Sequence, residues 1–333
     1  MADTMRAVVL SGPGPVENLV VTDRPVPVIR PGWVRIAVKA FGLNRSELHT
    51  RLGMAEGVTF PRVPGIEAVG VVDGLDPADA DSGLAPGVQV ATMMGDMGRT
   101  YDGGYAAYTL VPVGQVIPFS SELDWEVLGA VPETLQTAYG SLTTGLDLTA
   151  GQTLLIRGGT SSVGLAAAAL AKQIGATVLA TTRNPGRAEV LTAQGVDHVL
   201  VDDGQVAEAV RALHPDGVDA ALELVGTPTL PDTLAATRVH GTVCFTGMLS
   251  NQWTVRDFYP IGYLPNGVRL TAYGGESGDL PARVLQRFLD EIAAGHIALG
   301  PVHTYGLDDI RRAHTDMERG HRVGKLVVLT GRS

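Results

Sequence analysis

An apolar strand, a glycine-containing turn and an alanine-rich helix are predicted in immediate succession between residues 153 and 174. The strand is indicated by Thr153-Leu154-Leu155-Ile156 and the helix by the apolar run that follows Val163. N–H groups at the start of a helix lack partners within it, and the helix dipole places partial positive charge there. The pattern therefore predicts a site for the pyrophosphate of a dinucleotide.

The turn departs at one position from the G-x-G-x-x-G sequence of dinucleotide-binding proteins. Gly159 and Gly164 occupy the first and third glycine positions, but Ser161 stands where the middle glycine belongs. A serine fits there if its hydroxyl donates a hydrogen bond to a phosphate oxygen. An ordinary turn between strand and helix is the alternative. The candidate cofactor-binding residues of the turn are Gly159, Thr160, Ser161, Ser162, Val163 and Gly164.

The residues after the second predicted strand bear on the choice between NADH and NADPH. In NAD-preferring proteins, an Asp or Glu about 20 residues past the turn accepts a hydrogen bond from the ribose 2′-hydroxyl. This chain has Thr182 and Arg183 there, and Arg187 follows. No carboxylate stands there to repel a 2′-phosphate, and guanidinium groups pair well with phosphate, so Arg183 and Arg187 are candidate ligands of a 2′-phosphate. Thr182 is a further candidate cofactor-binding residue, and NADP(H) is the predicted cofactor. The alternative is that both arginines are solvated residues at a helix start.

Strands and helices continue to alternate further along the chain. Apolar strands are predicted at 198–201, 218–224 and 242–246, with amphipathic helices at 206–213 and 230–237. This alternation predicts a doubly wound, parallel Rossmann sheet. Small residues follow two of the strands, at the edge where such a sheet binds its ligand. These residues, also candidate cofactor ligands, are Val225, Gly226, Thr246, Gly247 and Met248.

Length and composition limit the class of protein. The 333 residues exceed one Rossmann domain, so a second domain is expected. Short β-rich runs separated by glycine and proline fill the first 125 residues, which predicts a largely antiparallel, β-barrel-like domain. The net charge of −10 argues against nucleic acid as a main partner. No apolar run suits a signal peptide or a membrane span, so a cytoplasmic protein without a membrane partner is expected.

Several motifs carry a family resemblance. Residues 42–53 resemble the pattern G-x-N-x-x-D-x-x-x-R-x-G of zinc-independent quinone oxidoreductases, and residues 61–72 resemble their pattern P-x-x-P-G-x-E-x-x-G-x-V. Further matches lie at 104–112, 137–140 and 324–328. Glu47, Ala107 and Ser161 depart from the family pattern. Since the matches follow in order over nearly the whole chain, it resembles this family of the medium-chain dehydrogenase/reductase superfamily.

The resemblance implies an α/β protein of two domains. Residues 1–122 and 275–333 would form a discontinuous, GroES-like β-barrel-type catalytic domain, and residues 123–274 a doubly wound Rossmann domain that binds NADP(H). The active site would lie in the cleft between them. The implied activity is the NADPH-dependent reduction of quinones, enones, enoyl thioesters or related activated carbonyl compounds. The implied assembly is a homodimer formed through the nucleotide domains.

The resemblance also implies roles for particular residues. Asn44 and Tyr139 are the candidate catalytic residues, and Thr137 and Lys325 are candidate cofactor-binding residues. The Asn44 amide would donate to the nicotinamide carboxamide, to a ribose hydroxyl or to the substrate oxygen. A turn-stabilising role is the alternative for Asn44, and a buried packing role is the alternative for Tyr139.

No metal site is predicted. A catalytic zinc needs three Cys, His or carboxylate ligands that converge on one point. Where the related zinc-dependent alcohol dehydrogenases have a cysteine and a histidine, this chain has Asn44 and Ile66, and the third ligand position corresponds to Glu133. The only cysteine, Cys244, lies in a predicted buried strand.

Glu67 has two interpretations. With His49 it would contribute to a metal site of a different kind. With Arg51 it would form an ion pair or a capping arrangement under the barrel, and this second interpretation is favoured.

Two classes of function stay open. The first is the NADPH-dependent reductase. The second is a catalytically weak NADPH-binding protein that serves as a scaffold or regulatory partner. The glycine turn, Arg183 and Asn44 together favour the enzyme.

Overall fold

A computed structural model describes residues 3–331, which divide into two compact units. The first unit contains residues 3–133, 276–296 and 301–331, and the second contains residues 134–275 and 297–300. The predicted boundary at 122/123 thus lies earlier than the observed division. Residues 123–133 stay with the first unit because Gly129 packs there: a Cβ on it would lie 2.7 Å from Cβ of Ala40 and 2.9 Å from Cγ1 of Val327.

The helices and strands follow in chain order. The first unit opens with β1 (Thr4–Leu10), β2 (Leu19–Pro25), β3 (Trp33–Gly42), α1 (Arg45–Arg51), β4 (Glu67–Leu75), β5 (Gln89–Met93), β6 (Tyr108–Pro112), β7 (Val116–Pro118) and α2 (Trp125–Leu128). Helix α3 (Pro132–Gly140) contains the division between the units, and β8 (Thr153–Arg157), α4 (Ser162–Ile174), β9 (Thr177–Thr182), α5 (Ala188–Ala193), β10 (His198–Val201), α6 (Ala207–Leu213), β11 (Val218–Glu223), α7 (Leu230–Ala236), β12 (Thr237–Phe245), α8 (Pro260–Tyr263) and β13 (Arg269–Ala272) follow. The chain returns to the first unit with α9 (Ala282–Ala293), β14 (Val302–Gly306), α10 (Ile310–Arg319) and β15 (Lys325–Leu329).

A seven-stranded sheet forms the body of the first unit. Its strand order is β14-β15-β3-β4-β5-β7, and β6 also pairs with β3. Strand β3 runs antiparallel to β4, β6 and β15. Its buried side chains Val34, Ile36 and Val38 alternate with more exposed ones, as expected of a strand with one face on the core. The predicted β-rich, largely antiparallel first domain is confirmed.

The second unit contains a parallel six-stranded sheet of order β10-β9-β8-β11-β12-β13. The central strands are continuous apolar runs, such as Leu154-Leu155-Ile156 of β8, which are fully buried because a parallel sheet is covered on both faces. The strand order reverses between β8 and β11, so the carboxyl ends of these strands mark the crevice where such sheets bind ligands. The predicted doubly wound Rossmann sheet is confirmed.

One strand begins earlier than predicted. Strand β12 starts at Thr237, directly after α7, whereas the sequence predicted a strand over 242–246. Thr237 pairs with Val218 of β11 before a register shift. The next residues, which include the exposed Val239 and His240, do not alternate as a half-buried strand does, and this hid the first half of β12 from the sequence pattern.

Helix α4 is the most apolar of the long helices and has 13 residues. Within residues 3–331, no helix is long and apolar enough to cross a membrane.

Candidate active site

Asn44 lies immediately before helix α1, where the backbone is still extended. Its N–H donates to Oε2 of Glu47, three residues further on, at 2.8 Å. The other carboxylate oxygen of Glu47 accepts the N–H of Ile66 at 2.8 Å. Asparagine before a helix with glutamate three residues later favours a helix start of this kind. Glu47 thereby fixes Asn44 and ties α1 to the segment before β4.

The ammonium group of Lys325 lies among three side-chain oxygens of the first unit. Its Nζ is 2.5 Å from Oδ1 of Asn44, 2.9 Å from Oε1 of Glu67 and 3.4 Å from Oε2 of Glu133. Nδ2 of Asn44 donates to the same Glu67 oxygen at 2.9 Å. These four residues, the lysine cluster, are all buried, with 9% of Asn44 and 4% of Lys325 exposed. Lys325, a predicted cofactor ligand, thus has its ammonium group inside a protein network.

Gly42, the last residue of β3, makes room for the lysine cluster. A Cβ at this position would overlap both Oε1 of Glu67 and Cε of Lys325. The glycine that opens the G-x-N motif is therefore required by the close approach of an ion pair.

Burial and charge together set the protonation of the lysine cluster. Burial lowers the pKa of Lys325, but the carboxylates of Glu67 and Glu133 outweigh it and raise that pKa above its ordinary value. Burial raises the pKa of Glu47 to about 7, against the hydrogen bond from the Ile66 N–H. Lys325 is therefore held as an ammonium ion, while Glu47 titrates near neutral pH.

The predicted pairing of Arg51 with Glu67 is wrong. The Arg51 guanidinium donates to Oε2 of Glu318 at 2.5 Å and to the carbonyl oxygen of Gly14 at 2.7 Å. Glu67 instead pairs with Lys325, and its second oxygen accepts the N–H of Glu133 at 3.0 Å. The true partners of Arg51 and Glu67 include residues from the far end of the chain, which spacing within one motif does not reveal.

No group of three or more His, Cys, Asp or Glu side chains that could hold a metal ion occurs within the described part of the chain. Asn44 and Glu133, at two of the positions compared with zinc ligands, both contact the Lys325 ammonium. Cys244 is buried in β12, where its Sγ lies 3.3 Å from Oγ1 of Thr246.

Ser161 closes the glycine turn of the second unit. Its hydroxyl donates to the carbonyl oxygen of Gly158 at 2.8 Å and accepts the N–H of Gly164 at 3.1 Å, which caps helix α4. The hydroxyl proton is thus used within the turn, and not held out toward a phosphate as the sequence suggested. The serine takes the place of the middle glycine because it stabilises the turn from inside.

The turn nevertheless has the shape that a pyrophosphate requires. A Cβ on Gly164 would come within 2.6 Å of the carbonyl oxygen of Gly159, so the helix start and the turn are in close contact. The first i→i−4 bond of α4 runs from Leu165 to Ser161 at 3.0 Å. The N–H groups of Ser162 and Val163 precede this bond and are available to an anion. The turn therefore fits the pyrophosphate of a nicotinamide dinucleotide.

The candidate cofactor residues of separate segments meet at one edge of the parallel sheet. Arg157, Glu223 and Phe245 are register partners at the ends of β8, β11 and β12, and Thr182 pairs with Val201 at the ends of β9 and β10. The segments after these ends contain the turn residues Gly159, Thr160, Ser161, Ser162, Val163 and Gly164, then Arg183 and Arg187, Val225 and Gly226, and Thr246, Gly247 and Met248. The alternating pattern predicted this shared edge.

Arg183 follows β9 and its side chain is exposed. It makes no hydrogen bond or ion pair with any other residue of the described chain. Thr182 is buried, and its hydroxyl donates to the carbonyl oxygen of Asn184 at 3.1 Å. Of these two candidate cofactor-binding residues, Arg183 thus has the side chain that is free to bind a phosphate.

Thr137 and Tyr139 lie in α3, ahead of a π-helical turn over Ser141–Gly145. The Ser141 hydroxyl lies 2.7 Å from the carbonyl oxygen of Thr137 and 2.9 Å from Oγ1 of Thr246. Ser141 therefore joins two candidate cofactor segments, and sequence reasoning missed it. Tyr139 is partly exposed, and its carbonyl oxygen accepts the hydroxyl of Thr143 at 2.8 Å.

Sequence reasoning also missed a buried arginine at the end of β8. Arg157 is fully buried, with Nε 2.6 Å from Oδ2 of Asp202 and Nη1 2.5 Å from Oδ2 of Asp232. The same Asp202 oxygen accepts the hydroxyl of Thr181, which in turn accepts the N–H of Gly158. Burial raises the pKa of Asp202, but Arg157 outweighs it, so that the pKa lies below its usual value. The signal available in the sequence was the charged residue Arg157 at the end of the apolar strand β8.

Glu223 ends β11 in the same way. One carboxylate oxygen accepts the N–H groups of Val225 at 2.7 Å and Gly226 at 3.0 Å, and the other accepts the Thr233 hydroxyl at 2.6 Å. Two candidate cofactor residues thus have their N–H groups bound to a buried carboxylate that shapes the crevice edge.

Two family models match this chain. The model described as alcohol dehydrogenase GroES-like domain covers residues 30–121, and the model described as zinc-binding dehydrogenase covers residues 194–328.

Individual proteins are similar over nearly the whole chain. The probable quinone oxidoreductase of Schizosaccharomyces pombe is 26% identical over 326 residues, which are 96% of this chain and 95% of that protein. The spectinabilin polyketide synthase system protein NorB of Streptomyces orinoci is 30% identical over 329 residues, 96% of this chain but 14% of that protein. The chain spans 11% to 14% of the length of such polyketide synthases.

The solved structure of the mycobacterial protein Rv1454c, complexed with NADPH, is similar to this chain with a TM-score of 0.86 and 26% sequence identity. The match covers 98% of this chain and 100% of that chain.

Proposed function

Because this chain belongs to the quinone oxidoreductase-like proteins of the medium-chain dehydrogenase/reductase superfamily, we propose that it is an NADPH-dependent reductase of quinones, enones or related activated carbonyl compounds. The observation that carries the proposal is the glycine turn after β8 together with Arg183 at the end of the adjacent strand β9, a side chain that is exposed and has no partner within residues 3–331. The N–H groups of the turn would bind the pyrophosphate of NADPH, and the Arg183 guanidinium would bind its 2′-phosphate.

In this proposal, the Rossmann unit holds the cofactor. The N–H groups of Ser162 and Val163 bind the pyrophosphate, Arg183 and Arg187 bind the 2′-phosphate, and the residues after β11 and β12 line the nicotinamide half. Bound NADPH supplies a hydride to an electron-poor carbon of the substrate. The NADPH complex of the mycobacterial protein Rv1454c supports this choice of cofactor.

Asn44 contributes a hydrogen-bond donor in this proposal. Its amide stabilises negative charge on the acceptor oxygen of the substrate or orients the nicotinamide carboxamide. Tyr139 is the second candidate catalytic residue, since it is partly exposed beside Thr137.

Two acceptor classes have support among the relatives. The similarity to the probable quinone oxidoreductase of Schizosaccharomyces pombe supports quinones as the acceptors of this chain. The similarity to a segment of polyketide synthases favours conjugated carbonyl compounds, enones and enoyl thioesters, which accept a hydride at the carbon β to the carbonyl. The proposal also includes a homodimer, a cytoplasmic location and the absence of zinc.

A panel assay tests the proposed function. The purified protein is mixed with NADPH and, in turn, a benzoquinone, a cyclic enone and a crotonyl thioester, and NADPH consumption is followed. We expect turnover with at least one acceptor, a large loss in Asn44→Asp and none in the matched surface variant Asn266→Asp. Tight NADPH binding without turnover on any acceptor would contradict the reductase and support the scaffold alternative.

A further inference from the structure

The lysine cluster determines which way the Asn44 amide faces. A lysine ammonium only donates hydrogen bonds, so the Asn44 atom at 2.5 Å from Nζ is the carbonyl oxygen. An ionised carboxylate only accepts, so the Asn44 atom at 2.9 Å from Oε1 of Glu67 is the nitrogen. Both contacts require the same orientation, because each alone excludes the flipped amide.

An asparagine amide offers two N–H donors and two lone pairs on its carbonyl oxygen. The capping box of α1 places the N–H of Glu47 on that oxygen, and the contacts with Lys325 and Glu67 take up two further functions. The Asn44 carbonyl oxygen is bound to Lys325, and one of the two N–H bonds is directed at Glu67. One N–H remains. Asn44 is 9% exposed, so little of its side chain lies open to a ligand.

We propose that Lys325 is the positioning residue of Asn44: the ammonium, braced by Glu67 and Glu133, locks the amide so that Asn44 presents an N–H and no acceptor. The site therefore selects an oxygen that gains negative charge or accepts a hydrogen bond, such as a carbonyl oxygen, and not a group that only donates, such as an ammonium. The choice of ligand oxygen rests on the proposed function, whereas the lock itself does not.

The chemistry of lysine suits this position better than that of arginine. Of the 25 basic residues, only Lys39, Lys172 and Lys325 are lysines. The ammonium is compact and can direct its protons at three oxygens, whereas a guanidinium is a wide planar fork. The space beside Gly42 is so small that an added Cβ would overlap the lysine chain itself. We therefore expect Lys325→Arg to disturb the cluster as much as Lys325→Met.

Lysine NMR tests the lock without any assay of activity. With ¹⁵N-labelled lysine only three ammonium signals are possible, and Lys39→Arg and Lys172→Arg assign two of them. We expect the Lys325 ammonium to exchange with water slowly and to shift in Asn44→Ala but not in Asn266→Ala. A Lys325 ammonium that exchanges as fast as that of the exposed Lys39, or one unaffected by Asn44→Ala, would overturn the proposal.

Kinetics of paired variants test whether Lys325 acts through Asn44. Lys325→Met should lower kcat/KM about tenfold or more through kcat, while the Kd for NADPH stays within about twofold. In an Asn44→Ala background, the same change should have almost no further effect. An equal loss in both backgrounds would show a merely structural role and contradict the proposal.

Two controls keep this result interpretable. Lys172→Met removes a lysine that is paired with Asp197 in the other unit and should leave kcat/KM unchanged. Lys325→Met combined with Glu67→Gln removes one carboxylate together with the cation, which protects the fold if the single variant is unstable. If the wild-type protein reduces no acceptor, the proposed function fails, and lysine NMR still decides on the lock.

Discussion

The hydroxyl oxygen of Ser161 lies 3.1 Å from the backbone nitrogen of Gly164 and accepts its N–H, across the turn that precedes helix α4. The same hydroxyl donates to the carbonyl oxygen of Gly158. Ser161 therefore supplies the acceptor for the Gly164 N–H, which a glycine at position 161 would leave to the ligand. The anion site is reduced to the N–H groups ahead of Gly164.

The Ser161 cap has a measurable effect on stability. Ser161→Ala should lower the free energy of unfolding by about 1 kcal/mol because the cap is lost, whereas Ser161→Gly should cost only a few tenths. In Ser161→Gly the Kd for NADPH should change less than about threefold, since the hydroxyl does not face the phosphate. Urea unfolding and fluorescence titration measure both. A tenfold loss of NADPH affinity in Ser161→Gly at unchanged stability would place the hydroxyl on the cofactor.

Arg183 should discriminate between the two nicotinamide cofactors. Loss of one charge-assisted phosphate contact costs about 1.5–3 kcal/mol, so Arg183→Ala should weaken NADPH binding about ten- to a hundredfold. NADH lacks the 2′-phosphate, and its Kd should hardly change. The exposed Arg24 of the first unit provides the matched control, Arg24→Ala. Equal losses for both cofactors would contradict the assignment of Arg183 to the 2′-phosphate.

The sequence predicts the strands and helices of this protein better than it predicts the side-chain partners of its buried charged residues. The unbroken apolar run of β8, the turn and α4 are local patterns, and the parallel sheet followed from their repetition. The partners of Arg51 and Glu67 were not predictable, because Glu318 and Lys325 reach them only through the tertiary fold. The buried charges Arg157 and Glu223 share this property, since burying an ion is stable only with partners from other elements.

His314 should make the stability of the protein depend on pH. The ring is buried and its Nε2 lies 3.1 Å from the Tyr105 hydroxyl. Burial, with a smaller effect of the Arg51 charge, lowers the pKa of His314 from 6.5 to about 3. Between pH 6.5 and about pH 3, the unfolded chain therefore binds a proton at His314 that the folded protein does not. The contribution of His314 to the free energy of unfolding is complete above pH 6.5 and is lost as the pH falls toward 3.

The difference in unfolding free energy between wild type and His314→Gln isolates this effect. It should shrink by about 1.4 kcal/mol per pH unit on acidification within that window. The exposed His296 gives the control His296→Gln. A difference that stays constant with pH would mean that His314 is protonated in the folded protein.

Zinc should be absent from the purified protein. The Lys325 ammonium lies within 3.4 Å of Asn44 and Glu133 and repels a divalent cation from these oxygens. Elemental analysis should find far less than one zinc per chain, and a chelator should change neither the melting temperature nor the Kd for NADPH. One tightly bound zinc per chain would contradict this assignment.

Transfer of deuterium tests the central claim most directly. NADPH deuterated at C4, in each of its two stereoisomers, is incubated with the protein and the acceptor that reacts best in the panel, an enone or enoyl thioester, and the product is examined by mass spectrometry and NMR. We predict one deuterium at the β carbon of the product from one stereoisomer and none from the other, with the second hydrogen taken from water. A product that carries no deuterium from either stereoisomer, or no reduced product from any acceptor, would contradict an NADPH-dependent reductase.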